Sequence, residues 1–396
     1  MAEMSALEET EKTARQNVHL WVEDLALTNY RNYTRLSLRA DRRPVVLLGP
    51  NGAGKTNLME AVSLLAPGQG LRRVAYSEIA KSGGSGDWAV AANLHANGQS
   101  VQIGTGLQPA AATNARSGRI VRINGETQSG SGALADYVEM VWLTPASDGL
   151  FTGPASERRR FLDRLILCFD PGYRTRAGHF DRAMRQRNRL LDDGGHSPLL
   201  DGLETIMAET GVAIAAARVE AVTALRTEMQ TRRGRSGAVF PWADLQLEGD
   251  LETALEQRPA IDIEDWYCSE LARGRERDRA AGRALMGPHR SDLNVENGPK
   301  GIPAKISSTG EQKALLISLI LAHAELSTMR RNGIAPILLL DEIAAHLDDA
   351  RRSALFNDLL RIGSQAWMSG TDHIAFSALS ERAQFFRVED GDVKAI

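Results

Sequence analysis

The residues Gly49, Pro50, Asn51, Gly52, Ala53, Gly54, Lys55 and Thr56 run consecutively and match G-x-x-x-x-G-K-S/T at every fixed position. Phosphate chemistry needs that spacing. Glycines let the backbone wind so tightly that its N–H groups surround a β-phosphate, and the N-terminus of a following helix adds positive potential. Lys55 is then placed to reach the β- and γ-phosphates and the Thr56 hydroxyl to ligate Mg²⁺, while Asn57 extends the loop toward a bound ATP. A second stretch, Leu338-Leu339-Leu340-Asp341-Glu342, supplies what such a loop lacks. An aspartate ending a buried apolar strand stands beside the phosphates and holds the magnesium with Thr56. Glu342 is placed to polarise an attacking water as general base. Lys55, Asp341 and Glu342 are thus the catalytic candidates, and Thr56 and Asp341 the metal candidates.

A third stretch, Ser307-Ser308-Thr309-Gly310-Glu311-Gln312-Lys313, precedes a long apolar segment. The Ser308 hydroxyl and the Gly310 N–H at a helix N-terminus form an anion site. The loop at 49–56 already has a helix of its own. The second site would therefore grasp the γ-phosphate of a nucleotide held by another copy, giving an ATP-induced, head-to-tail homodimer. Serine followed three residues later by glutamate is also the pattern of a capping box, and the two roles are compatible.

These groups need elements to hold them. Pro44 opens the continuous apolar run Val45-Val46-Leu47-Leu48, as a strand buried on both faces requires. Leu58, Ala61, Val62 and Leu65 then recur at helical spacing until Pro67-Gly68. Ile337-Leu338-Leu339-Leu340 is a second buried strand, Ala366-Trp367-Met368 a further short one, and 311–329 a helix too apolar all round to be exposed. Alternation over 20–38 predicts a strand, a turn and a strand, and 83–132 reads as β-rich with tight turns. Beyond residue 150 strand alternation stops, and 155–169, 173–191, 199–231 and 263–283 predict four helices. The expected fold is α/β: an ATPase lobe built from both ends of the chain (19–150 and 287–396), interrupted by a mainly helical lobe (151–286), with 1–18 a flexible tail.

Composition narrows the rest. Of 396 residues 43% are hydrophobic and 24% charged, which excludes wholesale disorder, and a net charge of −3 shows no overall basic balance. Any basic surface must come from clustering. The densest cluster begins at Arg158, Arg159 and Arg160 and continues through Arg164 to Arg189. It is a candidate DNA-backbone contact, although a charge run on helices is more often a solvated face. Cys168 and Cys268 lie far apart with no ligand-spaced neighbours, so neither a disulfide framework nor a zinc site is expected. No run reaches membrane-span length and 1–18 lacks an apolar core, so the expected location is cytoplasmic, with no membrane partner.

The stretch from Ser307 resembles the signature sequence of ABC-type ATPases, and Ala345-His346-Leu347-Asp348 their D-loop. More specifically, Asn29-Tyr30-Arg31-Asn32-Tyr33, the run Gly153-Pro154-Ala155-Ser156-Glu157-Arg158-Arg159-Arg160-Phe161-Leu162-Asp163, Gln186-Arg187-Asn188-Arg189-Leu190-Leu191 and Gly287-Pro288-His289-Arg290-Ser291-Asp292-Leu293 resemble landmarks of the RecF family, ABC-type ATPases related to SMC heads. The resemblance implies ATP and Mg²⁺ as cofactors and single-stranded or gapped DNA as partner. It also implies an ATP-driven dimer that helps load recombinase with mediator proteins during recombinational repair and replication restart, and slow, DNA-stimulated hydrolysis that serves as a switch. Two departures stand out. Asp148 follows Pro145 at a distance where the family has an acid directly after proline, and no histidine follows the last strand, where Thr371 or Asp372 stands instead. The competing readings are a transporter subunit, a chromosome-type head with another DNA role, and a nucleotide-gated binding module with negligible turnover. An insert this short excludes the long coiled coil of a complete SMC protein.

Overall fold

The computed structural model describes residues 19–96, 98–108, 118–194, 198–235, 239–344 and 347–396. The tail at 1–18 and the residues Ala345 and His346 of the D-loop-like stretch lie outside the described residues. The chain divides into two compact units, one comprising 1–147 and 323–396, the other 148–322.

The first unit holds two six-stranded sheets. One is antiparallel, formed by β1 (Trp21–Tyr30), β2 (Tyr33–Arg39), β4 (Trp88–Ala96), β5 (Gln99–Leu107), β6 (Ile120–Ile123) and β7 (Glu126–Thr127), in the order β2-β1-β4-β5-β6-β7. The other combines β3 (Val45–Leu48), β8 (Met140–Leu143), β12 (Ile337–Leu340), β13 (Ala366–Gly370), β14 (Gln384–Glu389) and β15 (Asp392–Ala395), in the order β15-β14-β3-β13-β12-β8. In this second sheet β14, β3, β13, β12 and β8 run parallel, and β3, β8, β12 and β13 are buried at every position, which is why they read as unbroken apolar runs. Helix α1 (Lys55–Ser63) follows β3. Leu25, Trp88 and Val90 of the first sheet, Leu58 and Val62 of α1, and Leu339 and Trp367 of the second sheet share one apolar cluster.

The second unit is mainly helical, with α2 (Ala155–Ile166), α3 (Tyr173–Asp192), α4 (Pro198–Arg235), α5 (Asp250–Leu255), α6 (Ala260–Arg273) and α7 (Arg275–Ala281). It also contains an antiparallel sheet of β9 (Ala243–Glu248), β10 (Asp292–Asn297) and β11 (Ile302–Pro303). The helix expected over 263–283 is two, divided at Gly274, and α5 had no counterpart in the sequence reading. Residues 287–322, expected with the ATPase lobe, group with the helical unit, because β10 pairs with β9 along Asp292–Asn297 and Ser318 reaches Met229 of α4. Helix α8 (Thr309–Arg330) therefore begins in one unit and ends in the other, and α9 (Asp349–Ile362) belongs to the first. Among the described residues no helix is long and apolar enough to cross a membrane.

Candidate functional site

Parallel pairing brings the expected catalytic residues to one edge of the second sheet. β13 lies between β3 and β12, with Gly370 opposite Leu48 and Met368 opposite Leu340, so the loop leaving β3 and the acids leaving β12 emerge side by side. Thr56 Oγ1 donates to Asp341 at 2.9 Å (Oδ2) and 3.2 Å (Oδ1) across 285 residues of sequence. Lys55 is buried and its Nζ donates to the carbonyls of Gly49 at 2.7 Å and Pro50 at 2.9 Å. Burial pulls this ammonium below the ordinary lysine range, while the Glu342 and Asp341 carboxylates oppose that shift.

One residue that the sequence reading passed over organises the acids. Ser369, buried on β13, donates to Asp341 Oδ1 at 2.6 Å and accepts the backbone N–H of Glu342 at 2.8 Å. Glu342 sits at φ 56°, a left-handed conformation that costs a non-glycine residue about 1–3 kcal/mol unless its surroundings hold it. The Ser369 hydroxyl is what holds it. Its only trace in the sequence is a polar residue at the end of an apolar strand.

The β1–β2 turn buttresses the loop from the other side. Tyr33 Oη donates to the Gly54 carbonyl at 3.0 Å, and Asn32 Nδ2 to that of Ala53 at 3.2 Å. Gly54 has φ 115°, and a Cβ there would stand 2.6 Å from Asn32 Nδ2 and 2.7 Å from Tyr33 Oη, so only glycine lets the turn approach this closely. Asn57 donates to Asn32 Oδ1 at 2.8 Å and accepts from Arg72 Nη1 at 2.7 Å. Behind it Arg31 makes a two-pronged bond to Glu60, both contacts 2.8 Å. Alternation predicted the turn, but nothing in that pattern gave it a part in the site. Its physical role is to set the conformation of the phosphate loop.

The donor set suits magnesium. A hydroxyl (Thr56) and a carboxylate (Asp341) are hard oxygen ligands, and among the described residues no group of three or more His, Cys, Asp or Glu could hold an ion alone. Few protein ligands, completed by substrate phosphates and water, are the usual arrangement for this ion.

At the start of α8 the capping box forms: Ser308 N–H donates to Glu311 at 3.0 Å and Glu311 N–H to Ser308 Oγ at 3.4 Å. Lys300, 2.6 Å from Glu311, and the Ser308 bonds hold that carboxyl below the usual carboxylate range. Ser308 and Gly310 are exposed, and a Cβ on Gly310 would meet nothing within 4 Å. The backbone there is open to an approaching anion. Asp348, from the D-loop-like stretch, caps α9 by accepting the Arg351 N–H. Asp148 pairs with Lys313 at 3.5 Å, and Asp372 accepts the Ile374 N–H at 2.9 Å. Thr371 and Asp372 are exposed.

The arginine cluster divides. Arg158 is engaged within its own unit: its Nε and Nη2 bind Asp292 at 2.8 and 2.7 Å and its Nη1 the Gly153 carbonyl at 2.6 Å. With its side chain 15% exposed and its donors used within the unit, it braces α2 against β10 and has little left for a phosphate. Arg159 is half-buried and Arg160 exposed.

Comparison with known proteins agrees with this geometry. The family model for the RecF/RecN/SMC N-terminal domain matches residues 21–391. The DNA replication and repair protein RecF of Mesorhizobium japonicum is 52% identical over 373 residues, covering 94% of this chain and 97% of that protein. The protein of the same name from Agrobacterium fabrum is 50% identical over 94% of this chain and 97% of its own length. Among solved structures, the recombination mediator protein RecF–ATPrS of the RecFOR pathway superposes with a TM-score of 0.83 at 22% identity, covering 96% of this chain and 99% of that one. The Smc head domain with an extended coiled coil from Pyrococcus furiosus gives 0.54 at 15% identity, covering 95% and 96%. The fold is thus the α/β ABC-type ATPase lobe of these heads, assembled from both sides of a mainly helical insert. The chain belongs to the RecF family.

Proposed function

We propose that the protein is an ATP-dependent DNA-binding protein of recombinational repair and replication restart, in which ATP shared by two copies closes a homodimer and hydrolysis reopens it. The observation that carries this reading is the chain of bonds Thr56–Asp341–Ser369–Glu342 beside Lys55. It supports the reading by bringing a hydroxyl and two carboxylates together at one sheet edge, as a metal-ligand pair and a general base require. Support also comes from the names of the relatives, DNA replication and repair proteins, and from the solved structure of RecF–ATP in the RecFOR pathway. Single-stranded or gapped DNA, mediator proteins and recombinase are the corresponding partners, met in the cytoplasm.

Lys55 leaves the carbonyls of Gly49 and Pro50 for the β- and γ-phosphates, and the loop N–H groups after Pro50 surround the β-phosphate. Thr56 and Asp341 would hold Mg²⁺, which would supply charge neutralisation to the phosphates. Glu342, aligned by Ser369, accepts the proton of the attacking water. Ser308 and Gly310 of the second copy bind the γ-phosphate, so ATP favours the closed pair and loss of that phosphate releases it.

Sedimentation with and without ATP and gapped DNA tests the reading. Glu342→Gln should keep ATP-dependent dimers while turnover falls about 100-fold or more. Lys55→Ala should show no nucleotide-dependent dimer. A dimer indifferent to Lys55→Ala, or undiminished hydrolysis in Glu342→Gln, overturns it.

A further inference from the structure

The helical unit contains a cavity of about 240 Å³ that the nucleotide chemistry does not use. Its lining includes Arg159, Arg160, Asp163, Tyr173, Arg218 and His289, so it lies where the stretches 153–163 and 287–293 meet. The loop at 287–291 is firmly built. Arg218 Nη1 donates to the Pro288 carbonyl and Arg159 Nη1 to that of Ser291, each at 2.5 Å, while Ser291 Oγ donates to Glu252 at 2.5 Å.

Three arginines, Arg159, Arg160 and Arg218, line this cavity against two carboxylates, Asp163 and Asp181. Arg218 has Asp163 at 2.9 Å and Glu252 at 3.8 Å, and the Asp163 carboxylate also accepts from Tyr173 Oη at 2.5 Å. Arg159 is half-buried and Arg160 exposed, and among the described residues no carboxylate lies within ion-pair distance of either; burial and the neighbouring Arg218 disfavour the Arg159 charge, and Asp292 and Asp163 oppose them from farther off. A cation taken from water without a counter-ion is unfavourable, and an anionic ligand removes that cost. His289 adds a second, independent sign. Its Nε2 faces the Ala284 carbonyl at 3.0 Å, which fixes that nitrogen as the N–H, and its buried Nδ1 has no partner.

We infer that this cavity is a phosphate site for the DNA backbone, with Arg159 and Arg160 as guanidinium donors and His289 Nδ1 as a further donor once protonated. It deepens the DNA-binding reading and rests on it. The volume is below the roughly 300–1,000 Å³ of sites for whole small molecules and suits a single phosphate. Arginine forks match phosphate oxygens. Burial holds His289 below its usual range; the bond to the Ala284 carbonyl opposes it, Arg290 and Arg159 add to it, and Asp181 opposes them. Arg160, Arg218, Asp163 and Tyr173 complete its charged surroundings. An arriving phosphate reverses that balance, so affinity rises as the pH falls.

Anisotropy titrations of the full chain with short single-stranded and gapped DNA, across salt and pH, test the site. Arg160→Gln and the milder Arg159→Lys should weaken binding, and Arg160→Gln should make the log K–log salt slope shallower by about 0.7–0.9. The exposed Arg277, which does not line the cavity, provides the control Arg277→Gln, expected to leave the slope unchanged. His289→Gln should remove the tightening between pH 8 and pH 6. Pocket variants that behave as Arg277→Gln does, with DNA binding intact, overturn this site alone. A wild-type protein that binds no DNA overturns the parent reading as well. If ATP binds the Lys55→Ala protein and that binding is lost with Arg160→Gln, the phosphate is a nucleotide's and the DNA assignment is wrong.

Discussion

Replacing Ser369 by alanine isolates the step at which the structure places most weight on one hydroxyl. In the wild type that hydroxyl bonds Asp341 at 2.6 Å and receives the Glu342 N–H at 2.8 Å, holding Glu342 at φ 56°. The left-handed conformation costs about 1–3 kcal/mol, and a hydrogen bond to a charged group contributes about 1.5–3 kcal/mol. With the hydroxyl gone, Glu342 relaxes and its N–H seeks another acceptor. A shift of about 1.4–2.8 kcal/mol in the aligned population corresponds to a 10- to 100-fold fall in turnover. ATP affinity should hold, because Lys55 and the Thr56–Asp341 bond remain. Single-turnover hydrolysis alongside equilibrium binding of a fluorescent nucleotide separates the two effects. The decisive comparison is the double variant. If Ser369 acts through Glu342, adding Ser369→Ala to Glu342→Gln changes turnover no further. A full additional loss in the double variant, or equal losses of affinity and turnover in the single one, would refute the positioning role.

Tyr33→Phe removes the donor to Gly54, whose carbonyl keeps the Leu58 N–H at 2.9 Å. The net loss is about 1 kcal/mol, or about fivefold in ATP affinity by titration, and an unchanged Kd would show that the turn does not set the loop. Arg187 is wholly buried against Glu204 at 2.8 Å, Asp278 at 2.7 Å and the Leu271 carbonyl at 2.7 Å, so Arg187→Met leaves the buried Asp278 without its cation and Glu204 with Arg275 alone. Thermal unfolding should report a loss of about 3–5 kcal/mol, and an unaltered melting temperature would contradict that. Glu139, 3.4 Å from Arg331, is pushed up to about 7 by burial, with Arg331 opposing. A carboxyl raised in the folded state costs stability as pH rises from the unfolded value near 4.5 through 7, and nothing below it. Glu139→Gln should therefore stabilise the protein at pH 8 by up to about 3 kcal/mol and leave it unchanged near pH 4; denaturation curves showing the same difference at both would sink this account.

The sequence made the nucleotide chemistry legible because that chemistry constrains neighbours along the chain. The loop at 49–56, the apolar strand ending in Asp341 and the helix after Ser308 each declare themselves within a dozen residues. What stayed hidden depends on partners far apart in sequence. Ser369 becomes informative only when β13 lies between β3 and β12, and nothing in Ala366-Trp367-Met368 reveals that order. Arg158 and Arg160 look alike in an arginine run, yet one of them is taken by Asp292, 134 residues away. Residues 287–322 read as a return to α/β texture, but pairing of β10 with β9 ties them to the helical unit. Texture identifies an element. It does not identify the element's neighbour.

That dependence has a consequence for how the site comes to exist. The second sheet interleaves strands from before the insert (β3, β8) with strands from after it (β12, β13, β14). The buried Gln365 shows how closely the two stretches are joined: its side chain bonds the N–H and carbonyl of Val22, 343 residues away, at 2.9 and 3.0 Å. The Thr56–Asp341 bond cannot form before this pairing, whereas the Asp341–Ser369 bond joins two neighbouring strands that both follow the insert. Loop closure over such separations slows folding, whereas the helical unit, continuous from 148 to 322, can be closed by contacts of shorter range. The proposed nucleotide site is therefore completed only when both stretches flanking the insert have found one another.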